Sequence, residues 1–462
     1  MTTATFDRAR LSLPELVWPI LVENVLRTSL LSVDTLMLGR YSAKAVAAMS
    51  LVGQYGFFIQ LLFMVVSSGA AILLAQNLGA GRRHEAGLIG VASLALVFAL
   101  SLVVSGLFAV GSGALLALYP LDPEVAELGG QFLRVYGACS FVTALGITLS
   151  TILRAWGFTR DAMLVSVLGL VLTVAGNALC LFGPFGLPVF GVTGVAVSTV
   201  FSQVVVLALL ALLVRRHTSI ELPVRTVSTI PTSVYRQVLS VGLPSAGENL
   251  SYNLSQIATL AMLAKLGTAS LAAYGILMAV LRYVFMPGVS VGLGTQIKVG
   301  YLVGAGQTTQ ATRLVYRAFG VAFAFSTVAV LVVQWQHRAI LSLFDATPAV
   351  LEVVSAVLVV ALIHEPGRNF NTVIIPALKG SGDVQFPVYV GMVSMWGVGV
   401  FGAWFLGLHL GLGLPGVWAA MAADEWGRGL VMAWRWRSGA WKARAFVSST
   451  PSLASADALE KA

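Results

Sequence analysis

Charged residues are scarce in this sequence. Asp, Glu, Lys and Arg make up 10% of its 462 residues, against about 25% in an ordinary soluble domain. Because a soluble protein needs charged side chains to cover its surface, this scarcity argues against a soluble fold. Hydrophobic residues make up 58% and the mean hydropathy is +0.89. Such a composition also excludes intrinsic disorder, since disordered chains have low hydrophobicity.

Cysteine is almost absent, and glycine follows no strict period. The two cysteines, Cys139 and Cys180, lie in apolar runs, so we expect buried free thiols and neither a disulfide nor a metal site. A disulfide-rich scaffold is therefore excluded. The 47 glycines lack the three-residue period of a collagen triple helix.

Long apolar runs fill most of the chain. A membrane-spanning helix needs about 20 apolar residues, and these runs are apolar all round, whereas the strands of a membrane β-barrel alternate. We therefore predict an all-α integral membrane protein with twelve transmembrane helices in two six-helix lobes. The predicted spans are 14–38, 48–74, 88–112, 128–152, 162–182, 190–214, 238–264, 270–296, 314–334, 350–375, 387–408 and 413–434.

The net charge of +9 indicates the membrane topology. Basic residues cluster in alternate loops, for example at Arg82, Arg215 and Arg435, and positive residues near span ends stay cytoplasmic. We therefore predict a multi-pass protein of the inner (cytoplasmic) membrane with both termini in the cytoplasm. The same distribution argues against a nucleic-acid partner. The polar N-terminus carries no cleavable signal pattern.

The longest polar connector between spans, residues 215–236, divides the chain into two sets of six spans. We predict an N-lobe at 14–214, a cytoplasmic linker at 215–236 and a C-lobe at 237–436. A cytoplasmic N-terminal segment, 1–13, and a cytoplasmic tail, 437–462, complete the predicted organisation.

The two halves of the chain repeat each other. A shift of 225 residues without gaps places the Pro-x-x-x-Glu-Asn pattern of residues 19–24 on residues 244–249. The same shift superimposes Gly79-Ala80-Gly81 on residues 304–306. An even number of spans per half gives both halves the same orientation, and such parallel repeats are related by an axis along the membrane normal. The symmetry predicts a central cleft between two lobes and alternating access by rocking of the lobes.

Several short motifs, in order and within the twelve spans, identify a resemblance. Pro19-Ile-Leu-Val-Glu-Asn followed by Ser32-Val-Asp-Thr-Leu-Met-Leu-Gly resembles the first span of MATE (multidrug and toxic compound extrusion) transporters. Asn77-Leu-Gly-Ala-Gly and Val303-Gly-Ala-Gly resemble the turns after their second and eighth spans. Leu153-Arg-Ala-Trp-Gly resembles the family's Leu-Arg-x-x-Gly turn. The resemblance extends from residue 14 to about residue 436.

This resemblance implies a secondary antiporter that exports organic, often cationic and amphipathic, compounds. Inward flow of H⁺ or Na⁺ would drive the export, and no cofactor besides the coupling ion is expected. We expect small organic substrates and membrane lipid as the partners of a monomeric protein.

Asp34 matches the ion-coupling aspartate of the family's first span. It lies in an apolar context, where an ionisable side chain is costly and is a functional candidate. The family's sodium-binding pattern places its partners at Thr173 and Asn177 in span 5 and at Thr199 in span 6. Because an amide stands at Asn177 where the pattern has a second acid, a sodium site is weakened. We predict H⁺ coupling through Asp34, with Na⁺ coupling as the alternative.

Glu23 and Glu248 occupy matching places in the two halves, four residues after a proline. Each either stabilises the first turns of its helix or takes part in transport. Some MATE members carry a coupling glutamate in span 7, about one turn later, where this chain has Tyr252.

Span 10 contains the polar stretch His364-Glu-Pro-Gly-Arg-Asn. Glu365 and Arg368 are three residues apart, so they lie on one helix face and are predicted to pair. Glu365, Arg368 and Asn369 either contact the substrate or ion, or form a structural buried ion pair. Similar Glu-Pro-Gly-Arg segments occur in some bacterial MATE members.

Two other functions remain open. A lipid-linked oligosaccharide flippase of the same superfamily would need a larger, strongly cationic cavity. An integral-membrane enzyme would need acidic or histidine motifs clustered at a loop, and the loops here are short. The sequence contains neither a Walker lysine motif nor His-Glu-x-x-His, and we expect no enzyme activity.

Overall fold

A computed structural model describes residues 12–447, apart from 118, 120, 187 and 345–346. Seven side chains within this range, at positions 31, 32, 34, 35, 185, 224 and 225, also lie outside the description. The predicted coupling residue Asp34 is one of them. Nearly all of the predicted segment 1–13 and the last part of the predicted tail lie outside the described residues as well.

The described chain is helical almost throughout, and these residues contain no β-strand. Its α-helices are α1 Leu13–Tyr41, α2 Ala43–Gly79, α3 Arg83–Leu116, α4 Pro123–Ala138, α5 Ser140–Ala155, α6 Thr159–Phe182, α7 Gly191–Arg216, α8 Thr232–Lys265, α9 Thr268–Gly304, α10 Thr308–Trp335, α11 His337–Leu341, α12 Pro348–Asn369, α13 Ile375–Ser381, α14 Gln385–Ser394 and α15 Gly413–Ser438. Wider π-helical turns occupy Phe370–Ile374, Met395–Val400 and Ala403–His409.

Helical segments lie at all twelve predicted spans, which confirms the predicted all-α membrane fold. Eight of these segments are long and apolar enough to cross a membrane, and α4 with α5 makes a ninth if the bent pair is one span. The remaining three, α1, α8 and α15, carry several ionisable residues along their length. These ionisable residues lower the hydropathy of the three helices.

Helices α4 and α5 meet at an angle of 50° at Cys139. An N-cap begins this pair: the Asp122 carboxylate accepts a hydrogen bond from the Glu124 amide, and Pro123 takes the first helical position. Cys139 and Cys180 are both free thiols, as expected, but each is half-buried rather than buried.

The chain divides into two compact units. One is formed mainly by Ile72–Ala86 together with the chain from Ser251 onward, and the other by Pro14–Ala71 with Gly87–Leu250. Helices α2 and α8 therefore contribute residues to both units. The predicted lobe boundaries at 214 and 237 stay a prediction.

The repeat seen in the sequence reappears in the helix ends. Gly81 and Gly306, which the 225-residue shift superimposes, both have left-handed φ values, 75° and 74°. After α2, the Arg82 amide donates to the Asn77 carbonyl at 2.9 Å; after α9, the Gln307 amide donates to the Leu302 carbonyl at 2.7 Å. These bonds close the same C-terminal cap, which needs a residue that tolerates positive φ. The repeat thus preserves backbone geometry as well as residue type.

Two glycines bring α2 and α8 into backbone contact within one unit. A Cβ atom on Gly69 would collide with the Val238 carbonyl oxygen, and one on Gly242 would collide with the Val65 carbonyl oxygen. Because lipid supplies no hydrophobic drive for helix association, membrane helices pack through such small residues. Any side chain at either position would force the two helices apart.

We predict that Gly242→Ala lowers the stability of the protein by about 1–3 kcal/mol, because the added methyl group has no space against the α2 backbone. Thermal unfolding of the detergent-purified protein measures this change. The matched control is Gly53→Ala on α2, where an added Cβ meets open space. We expect the control to be neutral or slightly stabilising, since alanine favours helix over glycine by about 0.5–1 kcal/mol. Equal effects of the two substitutions would contradict this account of the α2–α8 contact.

Candidate functional site

A cluster of buried ionisable side chains lies where α12 packs against α15, within one of the two units. Each of its members is less than one-tenth exposed. Helix α12 contributes His364, Glu365 and Arg368, and helix α15 contributes Asp424, Glu425 and Arg428. Ionisable groups inside membrane helices are rare and expensive, so a cluster of six marks a candidate functional site.

Glu365 organises the α12 side of the cluster. Its Oε1 atom lies 3.0 Å from His364 Nδ1 and 3.5 Å from Arg368 Nη1. The Asn369 side-chain amide donates to the Glu365 backbone carbonyl at 3.0 Å. The predicted pair between Glu365 and Arg368 is therefore present, and the three predicted residues of span 10 are brought together.

Glu425 joins the two helices. Its Oε1 atom lies 3.7 Å from Arg368 Nε, and its Oε2 atom lies 3.2 Å from Arg428 Nη2. Arg428 also contacts its i−4 neighbour, with its Nη2 atom 3.0 Å from Asp424 Oδ2. The guanidinium of Arg368 stacks over the Phe285 ring of α9, 4.2 Å from its centroid. The network is thus continuous from α9 through α12 to α15.

A wide helical turn places an amide against the same carboxylate. Asn371 lies in the π-helical turn Phe370–Ile374, and its side-chain amide donates to the Glu425 carbonyl at 2.8 Å and to Glu425 Oε2 at 2.6 Å. Such turns often occur at functional sites. On the other side, the Ser394 hydroxyl donates to Asp424. Both α15 carboxylates are therefore held by a polar side chain as well as by an arginine.

The charges of the cluster do not cancel. It contains three carboxylates, two guanidiniums and one imidazole. Three carboxylates and two guanidiniums, counted without the imidazole, sum to one negative formal charge. An uncompensated charge in an apolar interior is strongly unfavourable, so buried groups take up or release protons to avoid it. The cluster is therefore electrically balanced when it holds one additional proton or a bound cation.

A cleft opens beside the α15 carboxylates, within the same unit. It comprises about 350 Å³ of space, part of which is open to solvent, and is bounded by α8, by the stretch from Met395 to Val400 and by α15. Its lining combines polar, aromatic and thioether side chains: Tyr252, Ser255, Gln256, Thr259, Met395, Gly399, Val400, Met421, Asp424 and Glu425. Such a lining can contact both the apolar and the polar parts of a small molecule.

The residues predicted to couple ions in the first half lie on α1, α6 and α7. Of Asp34, only the place in α1 is described. Asn177 is buried in α6. The hydroxyls of Thr173 and Thr199 donate to the backbone carbonyls four residues earlier in their own helices, at 2.9 and 2.8 Å. Their role in coupling stays a prediction.

Helices α6 and α7 approach each other closely next to these residues. A Cβ atom on Gly176 would collide with the Ser198 hydroxyl. Asn177 and Thr199 each directly follow one of these two residues in the chain. The fold therefore places the predicted partners of spans 5 and 6 at one level of the same helix pair.

The two glutamates that the repeat superimposes have different surroundings. Glu23 is buried and forms ion pairs with Arg154 of α5 at 2.5 Å and with Arg27 of its own helix at 3.1 Å. Glu248 is half-buried in α8. The Glu23–Arg154 ion pair connects α1 to α5. The sequence around Glu23 does not indicate this partner.

Sequence reasoning missed three residues of the cluster, Asp424, Glu425 and Arg428. The signal that could have found them is the stretch Asp-Glu-Trp-Gly-Arg inside the apolar twelfth span. The rule that selected Asp34 applies to it equally well. Despite the three acids and the histidine, the described residues contain no group of His, Cys, Asp or Glu side chains arranged to hold a metal ion.

The sequence profile of the MatE family matches residues 19–179 and 244–405, one match in each half of the repeat. An uncharacterised transporter of Bacillus subtilis, YisQ, is 35% identical over 434 residues, covering 93% of this chain and 94% of the relative. A probable multidrug resistance protein NorM of Thermotoga maritima is 25% identical over 440 residues, covering 95% and 94%.

Solved structures show the same fold. The outward-facing conformation of a multidrug resistance MATE family transporter of the MOP superfamily matches with a TM-score of 0.85 at 21% identity, covering 96% of this chain and 99% of that one. A MOP superfamily transporter from Pyrococcus furiosus, described as having a binding pocket of reverse polarity, matches equally well. The paired profile matches and these similarities establish that this chain belongs to the MATE family of membrane transporters.

Proposed function

We propose that the protein is a secondary antiporter that exports small organic, amphipathic or cationic compounds in exchange for H⁺. It acts as a monomer in the inner membrane, with both termini in the cytoplasm, and it moves substrate by alternating access rather than by enzymatic chemistry. The names of its relatives, which refer to multidrug resistance, support this substrate class. The observation that carries the proposal is the charge imbalance of the buried α12–α15 cluster beside the cleft.

The imbalance provides a physical basis for exchange. One surplus negative charge is neutralised either by a proton or by a cation in the cleft that Asp424 and Glu425 line. Two ligands that neutralise the same charge bind in competition, so each lowers the affinity of the protein for the other. Antiport requires such negative coupling between ion and substrate. A cationic substrate therefore displaces the proton, and a returning proton displaces the substrate.

The neighbours of the surplus charge limit where the proton resides. The carboxylates of Asp424 and Glu425 face His364, Arg368 and Arg428. Tyr252 from α8 lies next to Arg368. Tyr274 of α9 also interacts with Arg368. Since both arginines stay charged, the exchangeable proton is carried by the imidazole or by one of the three carboxyl groups.

Asp34 supplies a second protonation site in the proposal, assisted by Thr173, Asn177 and Thr199. The amide at Asn177 favours H⁺ over Na⁺ because a sodium site with one carboxylate is weak. Sodium coupling is the alternative outcome of the transport experiment.

We predict that an imposed proton gradient, without sodium, drives efflux of the fluorescent cation ethidium from proteoliposomes. Asp34→Asn cannot exchange a proton, so we expect it to reduce this efflux to the level of protein-free liposomes. The matched control is Asp122→Asn at the exposed N-cap of α4, since asparagine caps a helix as well as aspartate does. Efflux that needs a sodium gradient would contradict H⁺ coupling.

We predict that binding of ethidium to the purified wild-type protein releases a proton in weakly buffered detergent solution. Glu425→Gln removes the surplus negative charge, so proton release from this cluster is lost in the variant. The pH change on ligand addition measures the effect. Glu127→Gln, at an exposed carboxylate on α4, serves as the control and retains full release. Undiminished release from Glu425→Gln would show that the α12–α15 cluster does not carry the exchanged proton.

A further inference from the structure

The chain that follows α15 folds back as a strap, which we define as Gly439–Val447. Gly439 turns the chain with a left-handed φ of 72°. Trp441 is fully buried: its ring stacks on Trp436 at 4.2 Å, and its indole N–H donates to the Trp436 carbonyl at 2.9 Å. Val447 at the end of the strap is buried too. The first part of the predicted cytoplasmic tail is therefore anchored to the helices at Trp441 and Val447.

Gln76 at the end of α2 connects the strap to two other elements. Its side-chain amide donates to the Gly380 carbonyl of α13 at 2.9 Å, and its side-chain oxygen accepts from the Phe446 amide of the strap at 2.8 Å. The side chain is completely buried. One amide group thus uses both of its ends to join α2, α13 and the strap. Losing either bond would leave a buried polar group unsatisfied, which is costly.

The strap also holds α13 directly. A Cβ atom on Gly382, at the end of α13, would collide with the Arg444 carbonyl oxygen of the strap. Next to this contact, Arg435 of α15 donates through Nε to Asp383 Oδ2 at 2.7 Å. The turn after α13 therefore contacts the strap through Gly382 and α15 through Asp383.

Next to Gln76, helix α2 from the first half of the repeat crosses helix α9 from the second half. A Cβ atom on Gly79 of α2 would collide with the Tyr301 carbonyl of α9, and one on Gly304 of α9 would collide with the Gln76 carbonyl of α2. The 225-residue shift superimposes Gly79 on Gly304 and Gln76 on Tyr301, so the crossing is symmetric. Tyrosine cannot reproduce the two hydrogen bonds of the glutamine amide. The other half of the repeat therefore has no amide side chain at the position equivalent to Gln76.

We propose that the strap is a latch that keeps the α2–α9 crossing closed, and that release of Gln76 from Gly380 and Phe446 is a step in opening the transporter to the cytoplasm. The inference rests on the proposed alternating access, which requires the two halves of the repeat to separate on the side where the strap lies. The latch consists of the two hydrogen bonds of the Gln76 side chain. Two hydrogen bonds are weak enough to be broken and remade in each transport cycle.

The test is the rate at which a membrane-impermeant maleimide labels a buried reporter thiol. The reporter is Ser381→Cys, a nearly isosteric change at a fully buried site beside Gly380, with Cys139 and Cys180 replaced by serine. Gln76→Leu removes both hydrogen bonds, and Phe446→Pro removes only the donor in the strap. We expect each variant to raise the labelling rate about tenfold.

Two matched controls isolate the latch. Gln60→Leu makes the same chemical change at an exposed position of α2, and Phe446→Leu changes the side chain but keeps the amide. We expect both to stay within about twofold of the parent rate. Ala445 has φ −57° and ψ 134°, which is the extended backbone that a residue before proline prefers.

Parent-like labelling of both Gln76→Leu and Phe446→Pro would overturn the latch. If Gln76→Leu does not purify as a monodisperse protein, Phe446→Pro alone decides the outcome. The labelling needs neither substrate nor an ion gradient, so it is independent of the efflux assay. A parent protein that transports nothing would contradict the proposed function and would leave the labelling result interpretable.

Discussion

The burial of charge inside the membrane is the constraint on which the candidate site depends. An ionised side chain in an apolar medium needs an opposite charge and hydrogen bonds to offset its lost hydration. Glu425 meets this need with Arg368 of α12, Arg428 of α15 and Asn371 of the π-helical turn that follows α12. Because each guanidinium is shared between carboxylates, moving any one helix would disturb the electrostatics of all of them.

The proposed exchange would depend on the same constraint. A balanced set of charges would hold its helices together and need no further ligand. This set has three carboxylates and two guanidiniums, and the imidazole of His364 lies 3.0 Å from one of those carboxylates. In the proposed exchange, either a proton or a cationic substrate would offset the remaining negative charge. Asp424 and Glu425 line the cleft, so a ligand bound there would lie beside two of these carboxylates.

Part of this site could be predicted from local spacing. Glu365 and Arg368 pair because three residues along a helix return to the same face, and the structure confirms their contact. Asp424 and Glu425 could also be selected from the sequence, because they are ionisable residues in an apolar span. The sequence does not indicate that Glu425 accepts a hydrogen bond from Asn371, 54 residues away. The Glu23–Arg154 pair joins residues 131 positions apart. No periodicity in a single segment indicates such partners, because they depend on how helices pack.

The sequence by itself determined the helical membrane architecture, since long apolar runs in lipid must satisfy their backbone hydrogen bonds internally. It also determined the repeat, including the paired glycines whose left-handed turns cap α2 and α9. Only the tertiary structure decided which helices share buried charges and where the C-terminal strap binds. Gln76 finds Gly380 and Phe446 across 304 and 370 residues. The physical reason is that local patterns follow the helix period, whereas contacts between distant helices follow the fit of their packed surfaces.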